Sequence, residues 1–214
     1  MDKKICLGSV NKDWITENLS NKENKIYSLF KKLTDIFFGV VGFVLFLISF
    51  PVSAFFIKIG SPGHILYKQE RVGKNGRKFF LYKYRTMYEN GREYKDIWRE
   101  KNADNITKAG RILRRLHTDE LPQAINLLKG DLSFIGPRPE WIELAKTFEV
   151  EIPYYKNRYL VKPGIIGWAQ INYPPSKSVE EAKEKFEYDL YYIKNRSVLL
   201  DLEIALKAVK LFFF

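Results

Sequence analysis

Cysteine and histidine are nearly missing from this sequence: one cysteine, Cys6, and two histidines, His64 and His117, are all there is of them. A lone thiol excludes an intramolecular disulfide, and one Cys with two scattered His lacks the clustered spacing of a zinc site. Internal repeats and low-complexity tracts are also absent. Charge is missing from Ile36 through Ile57, IFFGVVGFVLFLISFPVSAFFI, and acids are missing between Asn105 and Thr118. Over the whole chain acids are short, 25 Asp and Glu against 36 Lys and Arg, a net charge of +11. That excess points to an anionic partner, whether nucleic acid, an anionic lipid surface or a phosphate-bearing substrate. The 214 residues, 46% hydrophobic, suffice for one core, so one catalytic domain with accessories is expected.

The uncharged run would make about 33 Å of helix, enough to cross the hydrocarbon of a bilayer. It is longer than a typical signal-peptide core, begins well inside the chain and has no clear small-residue cleavage site. Pro51 lies within it and predicts a kink. Lys22, Lys25, Lys31 and Lys32 precede the run and Lys58, Lys68, Arg71 and Lys74 follow it, so charge assigns neither side and is compatible with both ends in the cytoplasm. On these grounds alone a simple span is preferred to a turn-back, because kinked spanning helices are common and neighbours can satisfy a freed carbonyl.

Beyond a turn at Ser61-Pro62-Gly63, two extended runs flank Lys74-Asn75-Gly76 and predict a β-hairpin. Tyr88 to Asn105 is polar and reads as an exposed helix and loop. Ser178 with Glu181 fits a capping box, and the Lys/Glu/Tyr-rich stretch after it to about Asn195 reads as a surface helix. From Ser197 to Phe214, Leu199, Leu202, Leu206, Val209 and Phe213 share one helical face and Glu203, Lys207 and Lys210 another. Such a helix either lies in the membrane interface or packs on the domain core.

Chemistry concentrates in ITKAGRILRRLHTDELPQAINLLKGDLSFIGPRPE. Arg111, Arg114 and Arg115, at i, i+3 and i+4, put three guanidinium groups on one helical face, suited to bidentate phosphate binding or to a solvated basic stripe. Asp119-Glu120-Leu121-Pro122 has the form of a helix start capped by Thr118 or Asp119. The same adjacent carboxylates could instead hold a nucleophile and a magnesium ligand, since magnesium takes one or two carboxylates plus phosphate oxygens and Asp can form a phospho-intermediate. On local grounds the cap is the commoner arrangement. In Gly136-Pro137-Arg138-Pro139-Glu140 the prolines hold Arg138 in a stiff extended turn, either pre-organised for a ligand or pointing to solvent. Lys162-Pro163-Gly164-Ile165-Ile166-Gly167-Trp168-Ala169-Gln170 reads as a buried turn and strand.

Taken together, the Pro-containing apolar segment, SPGHILYKQERVGKNGRKFFLYKYRTM, TDELPQAINLLKGDLSFIGPRP and KPGIIGWAQIN resemble the bacterial sugar transferase family, the monotopic polyprenyl-phosphate phosphoglycosyl transferases. The resemblance runs from about Lys31 to Leu211. It implies a ping-pong reaction in which Asp119 attacks the sugar-proximal phosphate of a UDP-sugar, expels UMP, and passes the phosphosugar to undecaprenyl phosphate. Glu120 would be the ligand of a Mg2+ cofactor, and Arg114 and Arg138 the phosphate-binding arginines. It also implies a re-entrant helix broken at the proline, with both ends cytoplasmic, which reverses the preference for a span. Two positions depart from the family: Phe50 stands where a Ser often precedes the proline, and Ile166 where Thr is common.

The expected protein is thus α+β and mostly helical: an N-terminal arm over residues 1–25, matching nothing in the family and expected to be mobile, a re-entrant membrane helix region over 26–60, and a cytoplasmic catalytic domain over 61–214 with a β-hairpin and amphipathic interfacial helices. Lacking the additional spans of larger relatives, it is expected to be a minimal enzyme of the bacterial inner membrane. Its expected partners are a UDP-sugar donor, the undecaprenyl phosphate acceptor and membrane lipids, with no nucleic acid. A catalytically silent, basic membrane scaffold is the rival from another class; no reader motif supports a nucleic-acid binder. Sugar, pathway and oligomeric state are not assigned.

Overall fold

The structure, a computed structural model, describes residues 3–19, 24–88, 105–176 and 178–213. Most of the polar stretch from Tyr88 to Asn105 therefore lies outside the described residues. Among the described residues eight helices and four strands follow in order: α1 Lys12–Leu19, α2 Lys25–Gly60, β1 Leu66–Val72, β2 Lys78–Tyr84, α3 Lys108–Arg115, α4 Ala124–Lys129, β3 Ser133–Ile135, α5 Ile142–Glu151, β4 Gly164–Ile166, α6 Trp168–Asn172, α7 Val179–Asn195 and α8 Val198–Phe213, with short 3-10 turns between. The architecture is mostly helical with a few short strands and one long apolar helix, as the sequence predicts.

Helix α2 starts at Asn24, whose side chain accepts the Ile26 N–H at 2.9 Å. Its pattern inverts that of a helix in water. The buried positions are Asp35, Gly39, Phe46, Ser53 and Ile57, while Phe37, Val40, Leu47, Ile48, Val52, Phe55 and Phe56 are exposed. Apart from Phe46 and Ile57 the buried positions are polar or small, and most of the large apolar residues face outward, which fits membrane anchoring. A Cβ on Gly39 would come within 2.8 Å of Leu128 in α4, so glycine is what lets the two helices approach. The helical assignment runs through Pro51, which cannot donate to the Leu47 carbonyl. Two residues before the proline, Ser49 Oγ donates to the Phe46 carbonyl at 3.1 Å and lies 3.1 Å from the Tyr84 hydroxyl. Ser49, the neighbour of Phe50, thus bonds the Phe46 carbonyl and not the Leu47 carbonyl that Pro51 frees.

β1 and β2 form the expected antiparallel hairpin, Leu66 opposite Tyr84 and Val72 opposite Lys78. Its loop places Asn75 and Gly76 at φ 56° and 75°, the left-handed backbone that Asn-Gly tolerates. Among the described residues no strand covers the far side of β2. Asn126 of α4, fully buried, substitutes: its Oδ1 accepts the Tyr82 N–H at 3.1 Å and its Nδ2 donates to the Phe80 carbonyl at 2.7 Å.

β3 and β4 pair in parallel, Ser133 with Gly164 and Ile135 with Ile166. A Cβ on Gly164 would lie 2.1 Å from the Gly136 nitrogen, so this contact requires glycine. After β4 the chain turns helical at Trp168, where a strand was expected to continue. Gly167, in extended conformation, starts α6, and Trp168 is buried with its Nε1 donating to the Lys3 carbonyl at 2.8 Å.

The main core gathers Ile135, Phe148, Tyr155, Trp168, Phe186, Leu190, Tyr192 and Ile204. Ser178 caps α7 as predicted, its Oγ accepting the Glu181 N–H at 3.2 Å. The surface-helix reading of α7 is corrected, because Phe186, Tyr188, Asp189, Leu190, Tyr192 and Ile193 are buried between α5, α6 and the arginine network described below. In α8 the packed face is Leu200, Ile204 and Ala208, while the Leu199, Leu202, Leu206 and Val209 stripe singled out in the sequence stays exposed. Residues 3–19 are docked rather than hanging free as a mobile arm. Leu7, Val10 and Leu19 are buried in the main core, and Lys3 and Lys4 pair with Glu203 and Glu184 at 2.9 and 2.7 Å.

Candidate active site

The Asp119-Glu120 corner is a 3-10 turn, Thr118–Gln123, entered through His117 in left-handed conformation at φ 53°. No side chain caps it, and Thr118 Oγ1 donates back to the Leu113 carbonyl at 3.3 Å. The cap expected of Thr118 or Asp119 is therefore not formed, because the left-handed His117 turns the chain sharply out of α3 and starts the 3-10 turn without a side-chain acceptor. That leaves the carboxylates for other work.

Their environments differ. Glu120 Oε1 accepts from Lys83 Nζ at 2.6 Å and from Arg138 Nη2 at 2.9 Å. Asp119 is buried, yet among the described residues its carboxylate makes no ion pair or hydrogen bond with another side chain. Burial opposes the Glu120 charge, but Arg138 and Lys83 outweigh it and hold the carboxyl well below the usual range. Asp119 moves the other way, pushed up by burial and by the neighbouring Glu120, against the pull of Lys83 and Arg114. Burial lowers the Lys83 ammonium, partly offset by Glu120. Adjacent carboxylates thus have opposite tendencies, one a fixed anion and the other a desolvated, unpaired and more basic one.

Arg138 is held from behind. Its carbonyl accepts from Arg158 Nη2 at 2.7 Å, and Arg158 Nε meets Asp189 at 2.6 Å in a buried pair. Arg71 donates to the Pro139 carbonyl at 3.0 Å and Val72 to the Glu140 carbonyl at 3.1 Å. The Lys162–Gln170 stretch supports the same loop, with Gly136 donating to Ile166 and Gly164 to Pro137, both at 2.8 Å. Of the arginine triplet, Arg111 and Arg115 are exposed, and only Arg114 turns inward, its Nε donating to Thr86 Oγ1 at 2.9 Å. The structure therefore brings Asp119, Glu120, Arg138 and Arg114 to one corner and leaves the rest of the basic face outside.

Lys83 and Arg158 belong to this arrangement and sequence reasoning missed both. Lys83 had a signal, as the charged residue of the alternating Tyr82-Lys83-Tyr84 run. Arg158 had none, being an arginine in an unremarkable loop.

For Mg2+ the fit is that of an ion relying on substrate oxygens. Among the described residues no three His, Cys, Asp or Glu cluster. The bonds of Glu120 fall on Oε1, so Oε2 and the Asp119 carboxylate remain as donors, the one or two carboxylates that magnesium takes beside phosphates.

The family model described as bacterial sugar transferase matches residues 26–214. A UDP-N-acetylgalactosamine-undecaprenyl-phosphate N-acetylgalactosaminephosphotransferase of Aeromonas hydrophila is 39% identical over 95% of this chain and 48% of its own length. A UDP-glucose:undecaprenyl-phosphate glucose-1-phosphate transferase of Escherichia coli K12 is 37% identical over 85% of this chain and 39% of its own. The chain spans less than half of each of these two. A sugar transferase of Bacillus subtilis strain 168 is closer in length, 40% identical over 77% of this chain and 76% of its own. With the model match covering nearly the whole chain and relatives of this similarity, the chain belongs to the bacterial sugar transferase family.

Proposed function

We propose that this chain moves a sugar 1-phosphate from a UDP-sugar to undecaprenyl phosphate, starting a lipid-linked glycan. The observation that carries this reading is the buried Asp119 carboxylate, without a side-chain partner among the described residues, beside a Glu120 fixed by two cations. A nucleophile must be accessible to its electrophile and not neutralised by a partner.

In the first step an Asp119 oxygen attacks the phosphorus that bears the sugar. The bond from that phosphorus to the bridging oxygen breaks, and its electron pair leaves on UMP. Arg138, Lys83 and Arg114 face the negative charge that collects on the phosphoryl oxygens. In the second step an oxygen of undecaprenyl phosphate attacks the same phosphorus, the bond to Asp119 breaks, and the carboxylate is restored. A Mg2+ held by Glu120 would supply charge neutralisation at the diphosphate.

The contacts of α2 support a membrane placement. Its early residues Lys31 and Asp35 bond to β3, and the Ser61 carbonyl just past its end accepts from Arg85 at 2.7 Å. One face of the helix thus grips a single domain from end to end. This supports a helix that enters and leaves on one side, with the domain at the cytoplasmic surface and the exposed α8 stripe toward lipid.

The test follows UMP release by detergent-purified protein with Mg2+ and undecaprenyl phosphate, offering UDP-N-acetylgalactosamine, UDP-glucose and other UDP-sugars. Release with one donor, and an Asp119 adduct of phosphosugar mass when acceptor is withheld, is expected. Wild-type turnover by Asp119→Asn would sink the mechanism.

A further inference from the structure

Two charged residues of α2, Lys31 and Asp35, turn inward and have no place in the reaction above. Asp35 is buried, and its Oδ1 accepts the Ser133 hydroxyl at 2.7 Å and the Phe134 N–H at 2.8 Å. One turn earlier Lys31 donates to the Ile135 carbonyl, to the Tyr192 hydroxyl at 3.0 Å and to Asp201 Oδ2 at 2.8 Å. Together they bond all three residues of β3. β4 lies along the strand, and the Phe134 N–H pairs with Asp35 instead of with a strand.

Such groups are expensive on a helix of this kind, because a carboxylate or an ammonium must give up its hydration to be buried there. Apolar packing like that of Gly39 against Leu128 would hold the helix to the domain without this cost. What the two charges add is directional: they fix a strand end. β3 ends at Ile135, and Gly136-Pro137 carries the chain directly to Arg138, whose guanidinium meets Glu120 at 2.9 Å. Arg158 and Arg71 hold the downstream side through the Arg138 and Pro139 carbonyls. Between these two grips the prolines leave Arg138 little freedom.

We propose that Lys31 and Asp35 are positioning residues by which the membrane helix sets Arg138 for the donor phosphate. The proposal rests on the reading of Arg138 as a phosphate ligand. It makes α2 part of the active-site scaffold as well as an anchor.

The experiment is a double-mutant cycle on steady-state UMP release, with Asp35→Ala, Asp35→Asn, Arg138→Ala and Asp35→Ala/Arg138→Ala, each checked by thermal unfolding in detergent. Asp35→Ala is expected to raise the donor KM about tenfold, the scale of a small misplacement of a binding group. Asp35→Asn keeps an acceptor oxygen for Ser133 and Phe134 and should restore KM to within about twofold. In the Arg138→Ala background Asp35→Ala should cost nothing further. Additive losses would mean that Asp35 acts on the fold at large and would overturn the positioning role alone. A wild-type KM for Arg138→Ala would remove the phosphate role of Arg138, and the proposal with it. If Asp35→Ala does not fold, Ser133→Ala, which deletes one donor to Asp35, replaces it in the same cycle with the same two outcomes.

Discussion

Two clusters of charge meet at Arg138 and behave differently. In the outer one Glu120, Lys83 and Arg138 pair with side chains 20 to 32% exposed, and Asp119 is left over. In the inner one Arg158 and Asp189 are 4% and 1% exposed, and Glu140 joins them at 3.3 Å from Arg158 and 3.5 Å from Lys185. Arg138 belongs to both, its guanidinium to the outer and its carbonyl to the inner. The inner cluster matches its acids with cations and so serves as a support. In the outer cluster both pairing cations fall on Glu120, which leaves the Asp119 carboxylate without an ion pair among the described residues, and that carboxylate is where chemistry can occur.

The largest effect expected is on the Asp119 carboxylate. Asp119→Asn should lower turnover by roughly 10⁴-fold or more, as loss of a covalent nucleophile does. It should not destabilise the protein. Burial raises the Asp119 pKa in the folded state, so above that pKa its charge costs stability, and the neutral amide should unfold at the same temperature or a higher one. A variant that is both inactive and markedly less stable would break the distinction between the clusters.

The converse applies to Arg158→Met. Removing the cation strands a buried Asp189, and breaking a buried pair from one side costs roughly 3–5 kcal/mol. Thermal unfolding should show the loss, and Arg158→Met/Asp189→Leu should recover part of it. A smaller effect separates the two halves of Arg138. Arg138→Lys keeps the charge and the backbone carbonyl but loses the planar fork, so donor KM should rise about tenfold while stability changes by less than about 1 kcal/mol. Equal unfolding and KM losses would place Arg138 in the support instead.

The outer cluster was largely legible because its parts are short contiguous motifs: TDELP supplies the carboxylates, GPRPE the stiffened arginine, and YKY the strand. The inner one was not. Arg158 and Asp189 lie 31 residues apart, and Asp189 sits in a Lys/Glu/Tyr-rich helix whose composition reads as surface. Burial of a charge depends on a partner from elsewhere in the chain, and no local period reports it. The same limit hid Asp35, whose partners are about a hundred residues away. The hairpin and the α7 cap were readable because turns and caps are local. The KPGIIGWAQ stretch was misread past Gly167 because a short apolar run does not tell a strand from a helix.

The last prediction concerns Glu140, where the support meets the solution pH. Burial works against its charge, but Lys185, Arg158 and Arg71 overcome it and hold its carboxyl at about 2, against an ordinary 4.5. Between those values the unfolded chain binds a proton that the folded protein does not. Glu140 therefore contributes stability that is fully present above about pH 4.5 and is lost as pH falls toward 2. Glu140→Gln should cost on the order of 3 kcal/mol at neutral pH, at about 1.4 kcal/mol for each unit by which the carboxyl is held low. Its unfolding temperature should then approach that of the wild type as the buffer is taken from pH 5 to pH 3. Glu120 contributes a loss of the same sign in both proteins, because its carboxyl is also held low, so only the difference between wild type and variant isolates Glu140. A constant gap across that window would mean that Glu140 stabilises the Arg158 network by shape and not by charge, and would weaken the contrast between a charge-matched support and an unmatched site.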